Sequence, residues 1–107
     1  MSSIVRNLGI IPSDEAIMTG IREGDSSMVN YLYRIGRDNI IRHVMNNSGR
    51  DGEAEDIIQD TIVIVHEKII SGSLQLNVNT KLSTYIMAVA KNLWLSQLRK
   101  NGHLVSL

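Results

Sequence analysis

Asp56, Gln59 and Asp60 stand at positions i, i+3 and i+4, a spacing that sets three side chains beside one another on a helix. Two carboxylates and an amide so arranged can receive Arg or Lys from a partner through charge-assisted hydrogen bonds. Glu55 and Val63 belong to the same segment and complete a first candidate binding set. Taken alone, the trio reads first as a solvated face near a helix N-terminus, where acids favour the dipole. A second set is basic. Lys91, Arg99 and Lys100 offer cations to phosphates, and Asn92 offers an amide to a base edge or backbone. Tyr85 and Trp94 present rings on which unpaired bases could stack. Trp94 lies seven residues from Met87, near an apolar stripe, and is assigned to the core; for Tyr85, core packing and stacking both stand.

Catalytic chemistry finds little footing. His66-Glu67-Lys68-Ile69-Ile70 lacks the second His of the zincin helix, and Val63 stands where a Glu-x-x-His site needs its Glu. His43, His66 and His103 fall on three different elements. The glycines sit singly, so neither a P-loop nor a nucleophile elbow is present. A metal-dependent hydrolase using Asp56, Asp60 and Glu67 is a rival that these spacings disfavour. No catalytic residue, metal ligand or cofactor is expected.

The elements that carry these residues follow from periodicity and caps. Pro12 ends a weakly patterned segment, and Ser13 caps a short helix with Asp14 and Glu15 in its first turn. That helix ends near Gly24. Asp25 caps a longer helix to about Met45, with Met28, Leu32, Ile35, Ile40, Ile41, Val44 and Met45 at helical spacing and Gly36 as a weak point. Asn46 to Gly52 is a polar turn. A third helix runs from Glu53 to about Ile70. It has Ala54, Ile57, Ile58, Thr61, Ile62, Val65 and Ile69 on one face and Asp56, Gln59, Asp60, Val63 and Glu67 on the other. The β-branched run Thr61 to Val65 also suits a strand, but the helical period extends on both sides and no strand partner exists. Ser71 to Asn79 form a loop. Thr80 caps a last helix to about Lys100, stopped by Asn101 and Gly102. Leu82, Ile86, Val89, Ala90 and Leu93 form its core stripe, and Lys91, Asn92, Leu95 and Arg99 another face. The expected fold class is all-α, a compact bundle of about four helices.

The 107 residues suffice for one domain, and 43% of them are hydrophobic, an ordinary core fraction. The absence of Cys excludes disulfides and thiolate metal sites and suits the cytoplasm. Neither a signal peptide nor an apolar run long enough for a membrane span is evident. Eleven basic and eleven acidic side chains balance, yet their distribution is uneven. Residues 53–70 hold Glu53, Glu55, Asp56, Asp60 and Glu67 against Lys68, a net −4, whereas residues 71–107 hold Lys81, Lys91, Arg99 and Lys100 and no acid, a net +4. Such asymmetry suggests partners of opposite charge, or two solvated faces.

The order of these signals resembles a known family. Ala54-Glu55-Asp56-Ile57-Ile58-Gln59-Asp60-Thr61 is similar to the "AEDLVQE" signature of the second conserved region of bacterial sigma-70 factors, most closely the extracytoplasmic-function (ECF) group. Thr84-Tyr85-Ile86-Met87-Ala88-Val89-Ala90-Lys91-Asn92-Leu93 resembles that group's "aWLyrIArNl", and Leu98-Arg99-Lys100 its closing "LRR". The resemblance covers about residues 14–101. It implies a sigma2-like domain over 1–107, a transcription initiation factor without enzymatic activity. Asp56, Gln59 and Asp60 match the face that docks on the clamp coiled coil in the largest subunit of core RNA polymerase. The loop from Ser73 to Thr80, with Lys81, Ser83, Thr84 and Tyr85, matches the segment that holds a base flipped from the promoter −10 element. Asn92 matches an asparagine that helps hold −10 bases, and Lys91, Arg99 and Lys100 match positions facing phosphate of the non-template strand. An anti-sigma factor is a further implied partner; a membrane or small-molecule substrate is not.

The sequence also departs from the pattern. Ile62 and His66 stand where the family favours aromatics, Leu82 where Phe and Tyr85 where Trp is commoner, and Ala88 where Arg is usual. The helix-turn-helix domain that reads the −35 element is expected to be absent from this chain. The rival expectation is a sigma-like interaction module that never contacts DNA, which the balanced charge and Ala88 leave open.

Overall fold

The computed structural model describes residues 11–77 and 79–102. Ser13 begins α1, Asp14–Arg22, its hydroxyl accepting from the Ala16 amide at 3.1 Å as an N-cap should. Asp25 then caps a 3₁₀ turn, Ser26–Met28, accepting from the Ser27 amide at 3.0 Å and the Ser27 hydroxyl at 2.6 Å. This turn feeds directly into α2, Val29–Asn46. The tight turn at Asp25 is the one refinement to the expected start of that helix.

Gly36 does not break α2. It is buried, and a Cβ there would lie 2.7 Å from Ile86 Cγ2. The glycine lets α2 approach the last helix closely, which offsets its poor helix propensity. Met45 departs from expectation: it is exposed, one residue beyond buried Val44 and off the inner face. Tyr31 takes the inward position near the other end.

A short turn containing Ser48 at φ 73° leads to α3, Asp51–Ile70. The Arg50 amide donates to Glu53 Oε1 at 3.1 Å, satisfying one orphan donor at the helix start. The run Thr61 to Val65 is helical. Its inner face is the expected one: Ala54, Ile57, Ile58, Thr61, Ile62, Val65 and Ile69 are all buried. Burying each of the larger aliphatic chains contributes roughly 1.5–3 kcal/mol, enough to override the modest helix propensity of β-branched residues.

After the loop comes α4, Leu82–Lys100. Thr80 is not its cap, contrary to the sequence reading. The Thr80 hydroxyl donates to Asn77 Oδ1 at 3.2 Å, and Lys81 occupies the N-cap position without a side-chain bond. The Leu82 amide instead donates to Asp14 Oδ2 at 2.8 Å, so α1 supplies the cap from across the fold. Leu82, Ile86, Ala90, Trp94 and Leu98 are buried, whereas Val89 and Leu93 pack at the core's edge. Trp94 is thus a core residue, its indole N–H donating to the Asn47 carbonyl at 3.0 Å.

Contacts of α2 with α4 advance together along both helices, from Gly36 against Ile86 to Asn47 against Trp94, so these two run parallel. The helix α3 packs on both. Among the described residues there is no strand, and the architecture is the expected all-α bundle of four helices.

Asp14→Ala should remove both the fixed partner of the Leu82 amide and a carboxylate at the positive end of α4. Loss of a cap costs about 1 kcal/mol. The expected result is a lower midpoint in urea at unchanged slope, with Asp14→Asn retaining much of the difference.

Candidate functional site

The acidic candidates are carried by the side of α3 turned away from the core. Asp56, Gln59, Asp60 and Val63 are all exposed, with Glu67 and Ile70 continuing the same surface. Val63 is 54% and Ile70 51% exposed, so this ridge of carboxylates also carries apolar side chains that no part of the described bundle covers. At its near end Glu53, Asp56, Ile57, Gln59 and Asp60 line a shallow recess with Gln97 of α4. Glu55 behaves differently. It turns toward α2 and pairs with Arg37 at 2.7 Å, both side chains being about half exposed, so it sits at the edge of the acidic ridge. A pair this exposed contributes roughly 0–1 kcal/mol.

The basic candidates lie on the outer side of α4. Lys91, Asn92 and Arg99 are exposed together with Thr84, Ala88 and Leu95, so a single outward strip carries a hydroxyl, an amide and two cations. Lys81 and Lys100 are exposed at the two ends of the helix. Ser83 is half-buried on the α2 side, and Tyr85 is partly buried against the core. The ring of Tyr85 is therefore neither fully packed nor free. Ala88, in the middle of the strip, offers no donor.

Two features of this region carried no local signal in the sequence. The first is a cleft between α1 and the loop before α4, lined by Asp14, Glu15, Met18, Arg22, Leu76, Asn77 and Thr80. Its floor is apolar through Met18 and Leu76, and its walls offer carboxylates, an amide and a guanidinium. The loop half of this lining was expected; the α1 half depends on the docking of Asp14 on Leu82. Asn77 shapes the loop by accepting from the Asn79 amide at 2.8 Å and from Thr80; Val78, within that expected segment, lies outside the described residues. Leu74, buried, anchors the other end of the loop, its amide donating to the Lys68 carbonyl at 3.1 Å.

The second is the seam between α2 and α4. Asn39 lines it with Ser83, Thr84, Met87, Ala88 and Lys91. Further along, His43 and Asn47 line it with Lys91 and Trp94. Burial, and then the Lys91 ammonium nearby, hold the His43 pKa below its ordinary 6.5. His66 is half-buried at the flank of α3, and His103 lies outside the described residues. Among the described residues, no three His, Asp or Glu side chains are grouped so as to hold a metal ion, so Asp56, Asp60 and Glu67 share a ridge without converging. No helix among the described residues is long and apolar enough to cross a membrane.

The bundle thus turns an acidic ridge outward on α3 and a cationic strip outward on α4. The Sigma-70 region 2 family model matches residues 32–103, about two thirds of the chain, and the chain belongs to that family. Its role is accordingly that of a sigma factor in transcription initiation, a non-enzymatic function exercised on core RNA polymerase and promoter DNA. No significant match was found among curated proteins or among solved structures.

Proposed function

We propose that the chain is the −10-reading domain of a bacterial, cytoplasmic ECF-type sigma factor. Asp56, Gln59, Asp60 and Val63, with Glu55 at the edge, dock on the clamp coiled coil of the polymerase's largest subunit. Lys81, Ser83, Thr84, Tyr85, Lys91, Asn92, Arg99 and Lys100 engage the non-template strand of the opened −10 element. The observation that carries this reading is the outward disposition of both sets: Asp56 and Asp60 on α3, Lys91 and Asn92 on α4, all exposed. A buried acid would be useless to a cationic coiled coil, and an inward Asn92 could reach no base. The acidic ridge mixes carboxylates with Val63 and Ile70, which suits a protein partner better than a purely solvated face; an anti-sigma factor would compete by covering it. The cleft between α1 and the loop suits a base taken out of the stack. It joins an apolar floor to Asn77 and carboxylate acceptors, and unstacking costs only a few kcal/mol.

The test is binding of promoter non-template single strands by the chain in complex with core polymerase. Affinity should fall linearly with the logarithm of salt concentration, by about 0.7 per phosphate neutralised on a single strand. Replacing Lys91 and Arg99 by Ala should weaken binding roughly tenfold or more and reduce that slope by about 1.4. Binding that ignores salt, or no binding at all, would favour instead an interaction module that does not contact DNA.

A further inference from the structure

We infer that the seam between α2 and α4, from Asn39 past His43 to Lys91, extends onto α2 the track for the sugar-phosphate backbone of the strand that α4 engages. The inference rests on the proposed strand-binding role of α4 and extends it to α2, which carries none of the sequence motifs assigned to nucleic-acid contact.

Three observations carry it. First, the two stretches of the seam share Lys91, so they form one continuous path that joins the outward strip of α4 to α2 rather than two separate dimples. Second, its polar lining consists of donors and neutral groups. Asn39 comes from α2 and Asn47 from just beyond its end, Ser83, Thr84 and Asn92 from α4, with Lys91 and His43 in the same lining, and no carboxylate lines it. Arg42 reinforces the α2 side, its guanidinium donating to Asn39 Oδ1 at 3.2 Å. A chain of phosphates needs amides, hydroxyls and cations and tolerates no acid. By contrast the cleft between α1 and the loop contains Asp14 and Glu15 and repels a phosphate. Third, His43 and Lys91 line one stretch of the seam with no carboxylate among its lining. Burial first, and the Lys91 ammonium second, disfavour the imidazolium in the free chain, and a phosphate between the two relieves the second of these.

The sign of the pH effect follows. The lining groups that face His43 are Lys91 and Asn92 from α4 and Asn47 from just beyond its own helix; of these only Lys91 is charged. A phosphodiester set between His43 and Lys91 favours the imidazolium, so the pKa of His43 is higher in the complex than in the free chain, where it lies below 6.5. Binding then takes up a proton. Affinity rises as pH falls through the value in the complex and levels off below the value in the free chain.

The experiment measures binding of an oligothymidylate of about 20 nucleotides to the full chain, from about pH 8 down to about pH 5.5, for the wild type and variants checked for unchanged helicity. Asn39→Asp should weaken binding by about threefold or more, since it sets a like charge beside the backbone. Asn30→Asp, an exposed change at the start of the same helix that lines neither stretch of the seam, should leave affinity within about 1.5-fold. The wild-type chain should bind about three- to tenfold tighter at the acid end, and His43→Gln should remove that rise. Equal losses from Asn39→Asp and Asn30→Asp, or an identical pH rise in His43→Gln, overturn the seam. If Lys91→Ala and Arg99→Ala weaken binding while the seam variants change nothing, the reading of α4 stands and the inference alone fails. If the wild-type chain binds no strand, the inference fails, and the reading of α4 is decided by its own test in the complex with core polymerase.

Discussion

Replacing both Asp56 and Asp60 by Arg is expected to abolish co-purification with core RNA polymerase while leaving the thermal unfolding of the chain almost unmoved. The two carboxylates are exposed on the outer side of α3 and no described intramolecular bond uses them. Surface changes of this kind stay within about 0.5 kcal/mol of neutral. At a cationic docking groove, however, they would turn attraction into repulsion. Truncating one member of a close interfacial charge pair costs about 2–5 kcal/mol, and reversing two exceeds that, so affinity should drop by roughly a thousandfold or more. Glu55→Gln offers a graded comparison. Glu55 is already engaged with Arg37, so its loss should weaken docking much less. A pull-down with core enzyme, run beside a melting curve, separates the two effects. Intact docking of the double variant would remove the acidic ridge from the interface.

The largest effect on stability is expected at Trp94. Its side chain is 1% exposed, its indole N–H closes on the Asn47 carbonyl, and its ring covers the turn between α2 and α3. Trp94→Ala leaves a large cavity and an orphaned carbonyl, a loss of about 3–5 kcal/mol, which rivals the whole stability of a small domain. Far-UV circular dichroism should show a chain largely unfolded or melting far below the wild type. Gly49→Ala probes the same spot from the opposite direction. A Cβ there would lie 2.8 Å from the Val44 carbonyl oxygen and 2.9 Å from Trp94 Cζ2, so even one methyl group overpacks it, by roughly 1–3 kcal/mol. A Trp94→Ala protein with wild-type stability would contradict the packing described.

The inner face of α3 was legible residue by residue, because seven apolar or neutral positions at helical spacing admit only one buried side. The outward stations of Asp56, Gln59, Asp60, Lys91, Asn92 and Arg99 followed from the same periodicity. What escaped was tertiary. Thr80 has the chemistry of an N-cap, but its hydroxyl serves Asn77, and the carboxylate that does the work belongs to α1. Local propensity cannot express a bond between residues so far apart in sequence. Gly36 read as a weakness because its value depends on Ile86 across the interface. Met45 sat on the apolar period yet is exposed, one position off the inner face that Val44 occupies. The seam at Asn39 and His43 was invisible because neutral amides and a lone imidazole carry no motif until a second helix is laid beside them.

The bond from Asp14 to the Leu82 amide spans 68 positions of sequence. The front of α4 is therefore steadied when the chain has closed into a loop, with α1 returned to α4. A clipped polypeptide lacking α1 would hold every cation of the outward strip and still present them on a helix whose opening turn frays. Whatever surface the opening turn of α4 presents is in this way tied to a carboxylate from α1, the helix most distant from it in sequence.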